Sequence, residues 1–218
     1  MSAFHIKLLA ITLMIIDHIG LFFFPENFLF RTIGRLSFPL FAWLIANGAY
    51  HTRNINKYLF RLFIFALISQ IPYTLAHQMI DPSTMTLNIF FTLSIGLAAI
   101  TLIKLTKEKW LWLLIVAVSG FAATILHTDY GGFGVLSIIA FYIFFKNRNA
   151  LIISQICIYV LMSLYFISRG NSLGVVQSFG LLSLPLILAY NNQEGTKSNL
   201  FYLIYPLHYV VIYFLLSI

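Results

Sequence analysis

The sequence predicts an all-α fold, a polytopic membrane helix bundle of about nine transmembrane helices. Hydrophobic residues make up 61% of the 218 residues and charged residues only 9%, whereas about a quarter of a soluble domain is charged. A soluble core of this length cannot bury so much apolar surface. The apolar residues also occur in runs that approach the length a membrane crossing requires, so lipid is the expected surrounding of most side chains.

A spanning helix needs about 20 mostly apolar residues. The nine segments that approach this length are 6–24, 33–50, 58–76, 88–105, 111–126, 132–146, 150–167, 173–190 and 200–217. The fifth and sixth are short and fit equally a broken hairpin or a re-entrant element, which makes eight crossings the alternative. No long linker or internal repeat divides the chain, so we expect one domain over residues 1–218. The first segment carries Asp17 and His18 and lacks a following small-residue cleavage site, so we interpret it as a retained helix rather than a signal peptide.

Lysine and arginine in the short loops indicate the orientation. With the amino terminus in the cytoplasm, only Arg31, Arg35 and Arg169 of the 13 basic residues fall on the outer side. The inner side then holds Lys7, Arg53, Lys57, Arg61, Lys104, Lys107, Lys109, Lys146, Arg148 and Lys197. This asymmetry predicts an N-in topology. The net charge of +7 is therefore explained by topology and by membrane lipids as partners, and no nucleic acid is expected.

A single cysteine, Cys157, limits the chemistry available to the chain. One cysteine excludes an intramolecular disulfide and any site built from several thiolates. Because free cysteines are usually buried, we expect Cys157 to be a core thiol.

Ionisable side chains inside the predicted helices are candidates for function, because each costs about 2.5 to 3.5 kcal/mol to insert. Asp17 and His18 lie in the outer half of the first helix. Arg31 and Arg35 are four residues apart near the same depth, so we expect an ion pair between Asp17 and Arg35. His18 is then expected to face a cavity. For Arg31, an anchor in the lipid headgroups is an equal alternative.

The loop after the second segment has the sequence His51-Thr-Arg53-Asn-Ile-Asn-Lys57 and leads to Arg61. Arginine and lysine are the usual partners of phosphate groups, so these residues are candidates to bind the phosphates of a cytosolic ligand. An ordinary positively charged inner loop is an equal alternative.

Two further sites contain polar groups at apolar positions. His208 follows Pro206 in the last segment, where the proline bends the helix and frees a carbonyl. On the outer side, Asp129 and Tyr130 precede glycines that let the backbone approach a ligand, and we include both as candidates for binding an acceptor. Capping of the following helix is an equal alternative for Asp129.

The histidines do not form a metal signature, because no His-x-x-x-His spacing and no carboxylate cluster accompany them. The chain also lacks the Walker phosphate loop and the Gly-x-Ser-x-Gly motif. The residues therefore predict a histidine-centred, metal-free site inside a membrane, and histidine is the usual general base near neutral pH.

An ordered set of short motifs resembles the TraX family of integral membrane proteins, which is named for conjugal pilin acetylation. The motifs are Asp17-His18-Ile-Gly, Gly34-Arg35-Leu-Ser-Phe-Pro-Leu-Phe, His51-Thr-Arg-Asn with Lys57-Tyr and Arg61, Ser69-Gln-Ile-Pro72, Asn88-Ile-Phe-Phe-Thr92, Asp129-Tyr-Gly with Gly134, and Tyr205-Pro-Leu-His208. Each is weak alone, but together they span nearly the whole chain. The family commonly has Glu where this chain has Gln70.

The resemblance implies an acyltransferase of a bacterial cytoplasmic membrane that uses cytosolic acetyl-CoA. The acceptor it implies is an amine or hydroxyl on the outer face, carried by a pilin-like protein, a glycan or a lipid. Joined to the residues above, it implies that His51, Arg53, Lys57 and Arg61 hold the donor phosphates. His18 then acts as base or acetyl carrier, Asp17 and Arg35 fix the site, His208 polarises the acceptor, and Arg31, Asp129 and Tyr130 bind it.

Two other functions fit the composition. A transporter or flippase for a small or lipid-linked molecule is the main alternative, although no inverted repeat is visible. A purely structural membrane subunit leaves the buried ionisable residues without a purpose.

Overall fold

The computed structural model describes residues 1–170, 172–196 and 200–218, and these are helical with short connections. The helices are α1 (Ala3–Phe23), α2 (Phe28–Gly34), α3 (Ser37–His51), α4 (Ile55–Gln78), α5 (Ile89–Leu105), α6 (Lys109–Ile125), α7 (Gly131–Ile143), α8 (Arg148–Ser168), a 3₁₀ helix (Ser172–Ser183), α9 (Leu184–Leu188) and α10 (Leu200–Ser217). With α2 joined to α3 and the 3₁₀ helix to α9, the described residues form nine apolar segments.

Four of these segments are long and apolar enough to cross a membrane, namely Ala3–Phe23, Phe28–His51, Ile55–Gln78 and Arg148–Ser168. The other five are apolar but shorter. Large hydrophobic side chains are exposed along most helices, as on Ile71, Leu113 and Phe121. In water such surface is unfavourable, whereas lipid accepts it. The fold is the predicted all-α membrane bundle.

The chain divides into two compact units, and the first comprises Met1–Leu44 and Ile143–Ser198. In it α1 packs against α2, and the 3₁₀ helix packs against α8. Gly174 permits the second contact, because a Cβ there would lie 3.0 Å from the carbonyl oxygen of Ser163. The hydroxyls of Ser163 and Ser178 add a hydrogen bond of 2.8 Å between the same two helices.

The second unit comprises Ile45–Tyr142 and Asn199–Ile218. Here α4 packs against α10 and α5, and α5 packs against α6. A hydrophobic cluster joins α5, α6 and α7 through Ala99, Ile103, Ala123, Val135 and Ile139. The Nζ group of Lys104 donates to the carbonyl of Ala49, so the end of α5 and the end of α3 lie at the same face of this unit, as the predicted topology requires.

Three expectations need correction. The segment predicted as a helix over 173–190 is largely 3₁₀, and its Gly174 and Gly180 let it pack closely against α8, including the ring of Tyr159. The segment predicted from 33 begins at Phe28, where Asn27 caps α2 by accepting a hydrogen bond from the amide of Leu29. Cys157, predicted as a core thiol, is exposed on α8. A thiol is weakly polar, so it is tolerated in lipid as well as in a protein core. Lys197 lies outside the described residues.

Candidate functional site

The carboxylate of Asp17 accepts hydrogen bonds from two guanidinium groups inside the first unit. Nη1 of Arg31 lies 2.6 Å from Oδ2 of Asp17 and also donates to the Asp17 carbonyl oxygen. Nε of Arg35 lies 3.2 Å from Oδ1, and Nη2 of Arg35 donates to Oδ2. The expected ion pair between Asp17 and Arg35 is thus present. Arg31, for which a headgroup anchor was the alternative, is paired with the same carboxylate.

The local sequence explains why these groups meet. Arg31 and Arg35 are one turn apart, so both side chains leave α2 on the same face. Gly34 between them lets α2 approach α1 closely, because a Cβ at Gly34 would lie 2.6 Å from the Cα of Asp17. Gly20 has the same effect one turn later, where a Cβ would lie 3.2 Å from Cγ of Phe30. Two glycines therefore bring the backbones close enough for Asp17 to receive both arginines.

The three side chains of the cluster differ in how far they are exposed. Asp17 is 6% exposed and Arg35 is 11% exposed, whereas Arg31 is 26% exposed. A buried carboxylate is stable only when it is paired, because its desolvation costs several kcal/mol. Arg35 also lies 3.5 Å from Oε1 of Gln177 on the 3₁₀ helix, to which its Nη1 donates. The cluster consequently ties α1, α2 and the 3₁₀ helix together.

His18 follows Asp17 in α1 and is half-buried. Adjacent helical residues point about 100° apart, so its ring is directed away from the Asp17 carboxylate. The ring centroid lies 6.4 Å from that of Phe22, one turn along the helix. A partly accessible imidazole beside a fixed ion cluster has the features expected of a general base.

His208 belongs to the second unit, where it forms part of a cluster of rings. Its Nδ1 lies 3.2 Å from the carbonyl oxygen of Ile204, and its ring centroid lies 4.1 Å from that of Tyr209. His77 on α4 repeats the arrangement, because its Nδ1 lies 2.9 Å from the carbonyl oxygen of Tyr73. A carbonyl oxygen only accepts, so Nδ1 carries the proton in both neutral histidines and Nε2 is the basic nitrogen.

Asp129 and Tyr130 lie in the connection from α6 to α7, which is held against the start of α5. The amide of Asp129 donates to the Leu87 carbonyl oxygen at 2.8 Å, and Thr92 donates to the Asp129 carbonyl oxygen. Tyr130 has a φ of 60°, a backbone conformation that costs non-glycine residues energy and often occurs at functional sites.

Gln70 uses its whole amide group to connect α4 with the start of α5. Its Nε2 donates to Oγ1 of Thr74 at 2.9 Å and to the Thr86 carbonyl oxygen at 3.0 Å. Its Oε1 accepts from the amide of Asn88 at 3.0 Å and from Nδ2 of Asn88 at 2.9 Å. All four hydrogen-bonding positions of the side chain are therefore occupied, and an amide is the group that this site requires.

The four residues predicted to hold donor phosphates lie at the α3–α4 connection. His51 ends α3, and Arg53, Lys57 and Arg61 follow in the connection and the first two turns of α4; all four are exposed. Asn54 caps α4, with Oδ1 accepting from the amide of Lys57 at 2.9 Å. Arg61 differs from the others, because its guanidinium lies over the rings of Tyr58 and Tyr202.

Some residues of these clusters were not found from the sequence. Gln177 gave no signal, since single amides in apolar helices are common. His77 lies one residue beyond the predicted end of its segment at residue 76. Its spacing of four from Tyr73 nevertheless places both side chains on one helix face. Among the described residues no group of three histidine, cysteine or carboxylate side chains is arranged to hold a metal ion.

Comparison with known proteins finds a matching family and similar proteins. The family described as TraX protein matches residues 2–216. A protein of Dichelobacter nodosus named "Probable fimbrial assembly protein FimC, serogroup H1" is 29% identical over 95% of this chain and 92% of its own length. An uncharacterized protein of Rickettsia prowazekii (strain Madrid E) is 33% identical over 42% of this chain and 33% of its own length. No solved structure matches.

Proposed function

Because the chain belongs to the TraX family, we propose that it is a membrane-embedded acyltransferase. The donor is cytosolic acetyl-CoA, and the acceptor is an amine or hydroxyl on the outer face of a bacterial cytoplasmic membrane. The observation that carries the proposal is the Asp17–Arg31–Arg35 cluster beside His18. Three ionised groups inside an apolar helix pair are costly, and such groups usually mark the functional site of a membrane protein.

Each group of the cluster has a distinct role in the proposal. Asp17 holds both arginines and, with Gly34, fixes α1 against α2, so that the position of His18 is set by a rigid helix pair. Arg35 places a positive charge against α1, and this charge stabilises the oxyanion that forms when the thioester carbonyl is attacked. Arg31, the more exposed arginine, contacts the acceptor.

The proposed reaction uses His18 as a general base. The acceptor N–H or O–H loses its proton to His18 as the nitrogen or oxygen attacks the acetyl carbonyl carbon. The carbon–sulfur bond of the thioester then breaks, and the thiolate of coenzyme A takes up the proton that His18 removed, which returns His18 to its neutral form. The alternative path forms an acetyl-histidine at His18, which the acceptor discharges in a second step. For His208, Asp129 and Tyr130, which belong to the second unit, the roles of polarising and binding the acceptor stay predictions from the resemblance.

The donor phosphates are assigned to His51, Arg53, Lys57 and Arg61, whose exposed side chains supply three permanent positive charges. Phosphate groups are bound by such charges. For the acceptor, the name of the Dichelobacter nodosus relative refers to fimbrial assembly, which supports a pilin-like protein over a glycan or a lipid.

The first test is binding of acetyl-CoA to the purified protein in detergent, beside the Arg53→Ala variant. We expect micromolar binding that the variant weakens. A wild-type protein that binds no acetyl-CoA at millimolar concentration contradicts the proposal and favours a transporter. A second measurement follows radiolabelled acetyl groups from acetyl-CoA to membrane proteins and lipids of cells that express the chain.

A further inference from the structure

Arg61 is held between two tyrosine rings inside the second unit. Its Cζ lies 5.4 Å from the ring centroid of Tyr58, one turn earlier on α4, and 4.9 Å from that of Tyr202 near the start of α10. A guanidinium over an aromatic ring is attracted by the ring's quadrupole. Although exposed, Arg61 is therefore restrained from two sides.

The two rings are themselves fixed by packing. The ring of Tyr202 is stacked on Phe65, with centroids 5.1 Å apart and an interplanar angle of 24°. The ring of Tyr58 lies against Gly48 of α3, where a Cβ would be 2.8 Å from Cε1 of Tyr58. Three helices, α3, α4 and α10, thus determine where the guanidinium of Arg61 points.

A restrained guanidinium is a better phosphate ligand than a mobile one, because less conformational entropy is lost on binding. The planar fork of arginine binds two phosphate oxygens at once, which lysine cannot do. The ring of Tyr202 is occupied by Arg61 and by Phe65, so it is not available to stack with a nucleobase. Arg53 and Lys57 lie nearby in sequence and add positive charge.

We propose that Arg61 is the anchor for a phosphate ester or diphosphate group, and that Tyr58 and Tyr202 are its positioning residues. This rests on the proposed function for the identity of the ligand as acetyl-CoA, but the chemistry of recognition is independent of it. The site binds the phosphates rather than the adenine of the donor. A phospholipid headgroup has the same phosphate chemistry and is the other source of such a ligand.

The experiment measures acetyl-CoA affinity for the full chain in nanodiscs of a neutral phospholipid. For Arg61→Lys we expect affinity to fall about tenfold or more, because the fork is lost while the charge remains. For Tyr202→Leu we expect a loss of about threefold, and Tyr202→Phe, which keeps the ring, should recover most of it. The control is Lys107→Gln, an exposed charge of the same unit, which should leave affinity unchanged.

Competition identifies the recognised group. Pyrophosphate and phosphopantetheine should displace acetyl-CoA from the wild-type protein, and adenosine should not. Competition by adenosine alone, or equal affinity of wild type and the Arg61→Lys and Tyr202→Leu variants, would overturn the inference. If the wild type binds no acetyl-CoA, the proposed function fails by itself. The inference then stands if native mass spectrometry finds phosphatidylglycerol retained by wild type and lost in Arg61→Lys, and it fails if retention is equal.

Discussion

Gly34 lies against Asp17 with no space for a side chain: a Cβ at Gly34 would be 2.6 Å from the Cα of Asp17 and would overlap its carboxylate side chain. The ion cluster therefore depends on a residue that carries no charge. An alanine here must push α2 away from α1 and lengthen the hydrogen bonds that Asp17 accepts.

Gly34→Ala should consequently lower the free energy of unfolding by about 1 to 3 kcal/mol, the usual range for an overpacked site. Thermal unfolding in detergent measures the change. Gly120→Ala is the matched control, because the atoms nearest to a Cβ there lie 4.0 Å away. Equal stability of the two variants would show that the close approach of α1 and α2 is not required.

Asp17→Leu should destabilise the protein more than either arginine substitution, because it leaves two guanidinium groups without the carboxylate. Breaking a buried pair costs about 3 to 5 kcal/mol. Double-mutant cycles of Asp17→Leu with Arg35→Leu and with Arg31→Leu separate the two pairs. We expect the larger coupling energy for Arg35, which contacts both carboxylate oxygens and is the less exposed arginine. A larger coupling for Arg31 contradicts this ranking.

His18→Gln should abolish acetyl transfer and leave folding intact. Loss of a general base reduces turnover by about 10² to 10⁴-fold, and His18 is half-buried, so the substitution leaves no large cavity. The measurement is release of coenzyme A thiol together with the unfolding temperature. His127→Gln, at an exposed position outside the assigned site, is the control. Wild-type turnover in His18→Gln contradicts the proposed mechanism.

His208→Phe separates packing from chemistry in the ring cluster. Phenylalanine preserves a ring against Tyr209 and Tyr205 but removes the basic Nε2. We expect nearly unchanged stability and turnover that falls at least about tenfold. His77→Phe tests the histidine that the sequence did not indicate. A fall in turnover for His77→Phe at unchanged stability would show that His77, like His208, contributes to turnover. Unchanged turnover would show that His77 contributes only to packing.

Gln70→Glu should be destabilising even though the TraX resemblance implies a glutamate at this position. A carboxylate loses both donated hydrogen bonds and faces the Thr86 carbonyl oxygen. We expect a loss of about 1 to 3 kcal/mol in the free energy of unfolding. Gln78→Glu at the end of the same helix introduces the same charge and should cost less than about 1 kcal/mol. Equal losses would indicate that the added charge, and not the loss of hydrogen bonds, lowers the free energy of unfolding.

Composition and run length were sufficient to predict the fold, because a long apolar run in lipid is stable as an α-helix, which satisfies its own backbone hydrogen bonds. The Asp17–Arg35 pair was predictable for a related reason, since each charge is too costly alone. Partners such as Gln177 and His77 were not predictable, because their position depends on which helices pack side by side. The 3₁₀ helix was missed because the hydropathy of residues 173–190 is the same for either helix type, and the two types differ only in their backbone hydrogen bonds.

The 3₁₀ helix changes how far the chain reaches. A 3₁₀ helix rises about 2.0 Å per residue and an α-helix about 1.5 Å. The continuous segment Ser172–Leu188, with 12 residues in the first form and 5 in the second, therefore extends about 31 Å along its axis, close to the hydrocarbon thickness of a bilayer. As a uniform α-helix it would be about 6 Å shorter, so the stretched winding lets a segment below the usual length match the membrane.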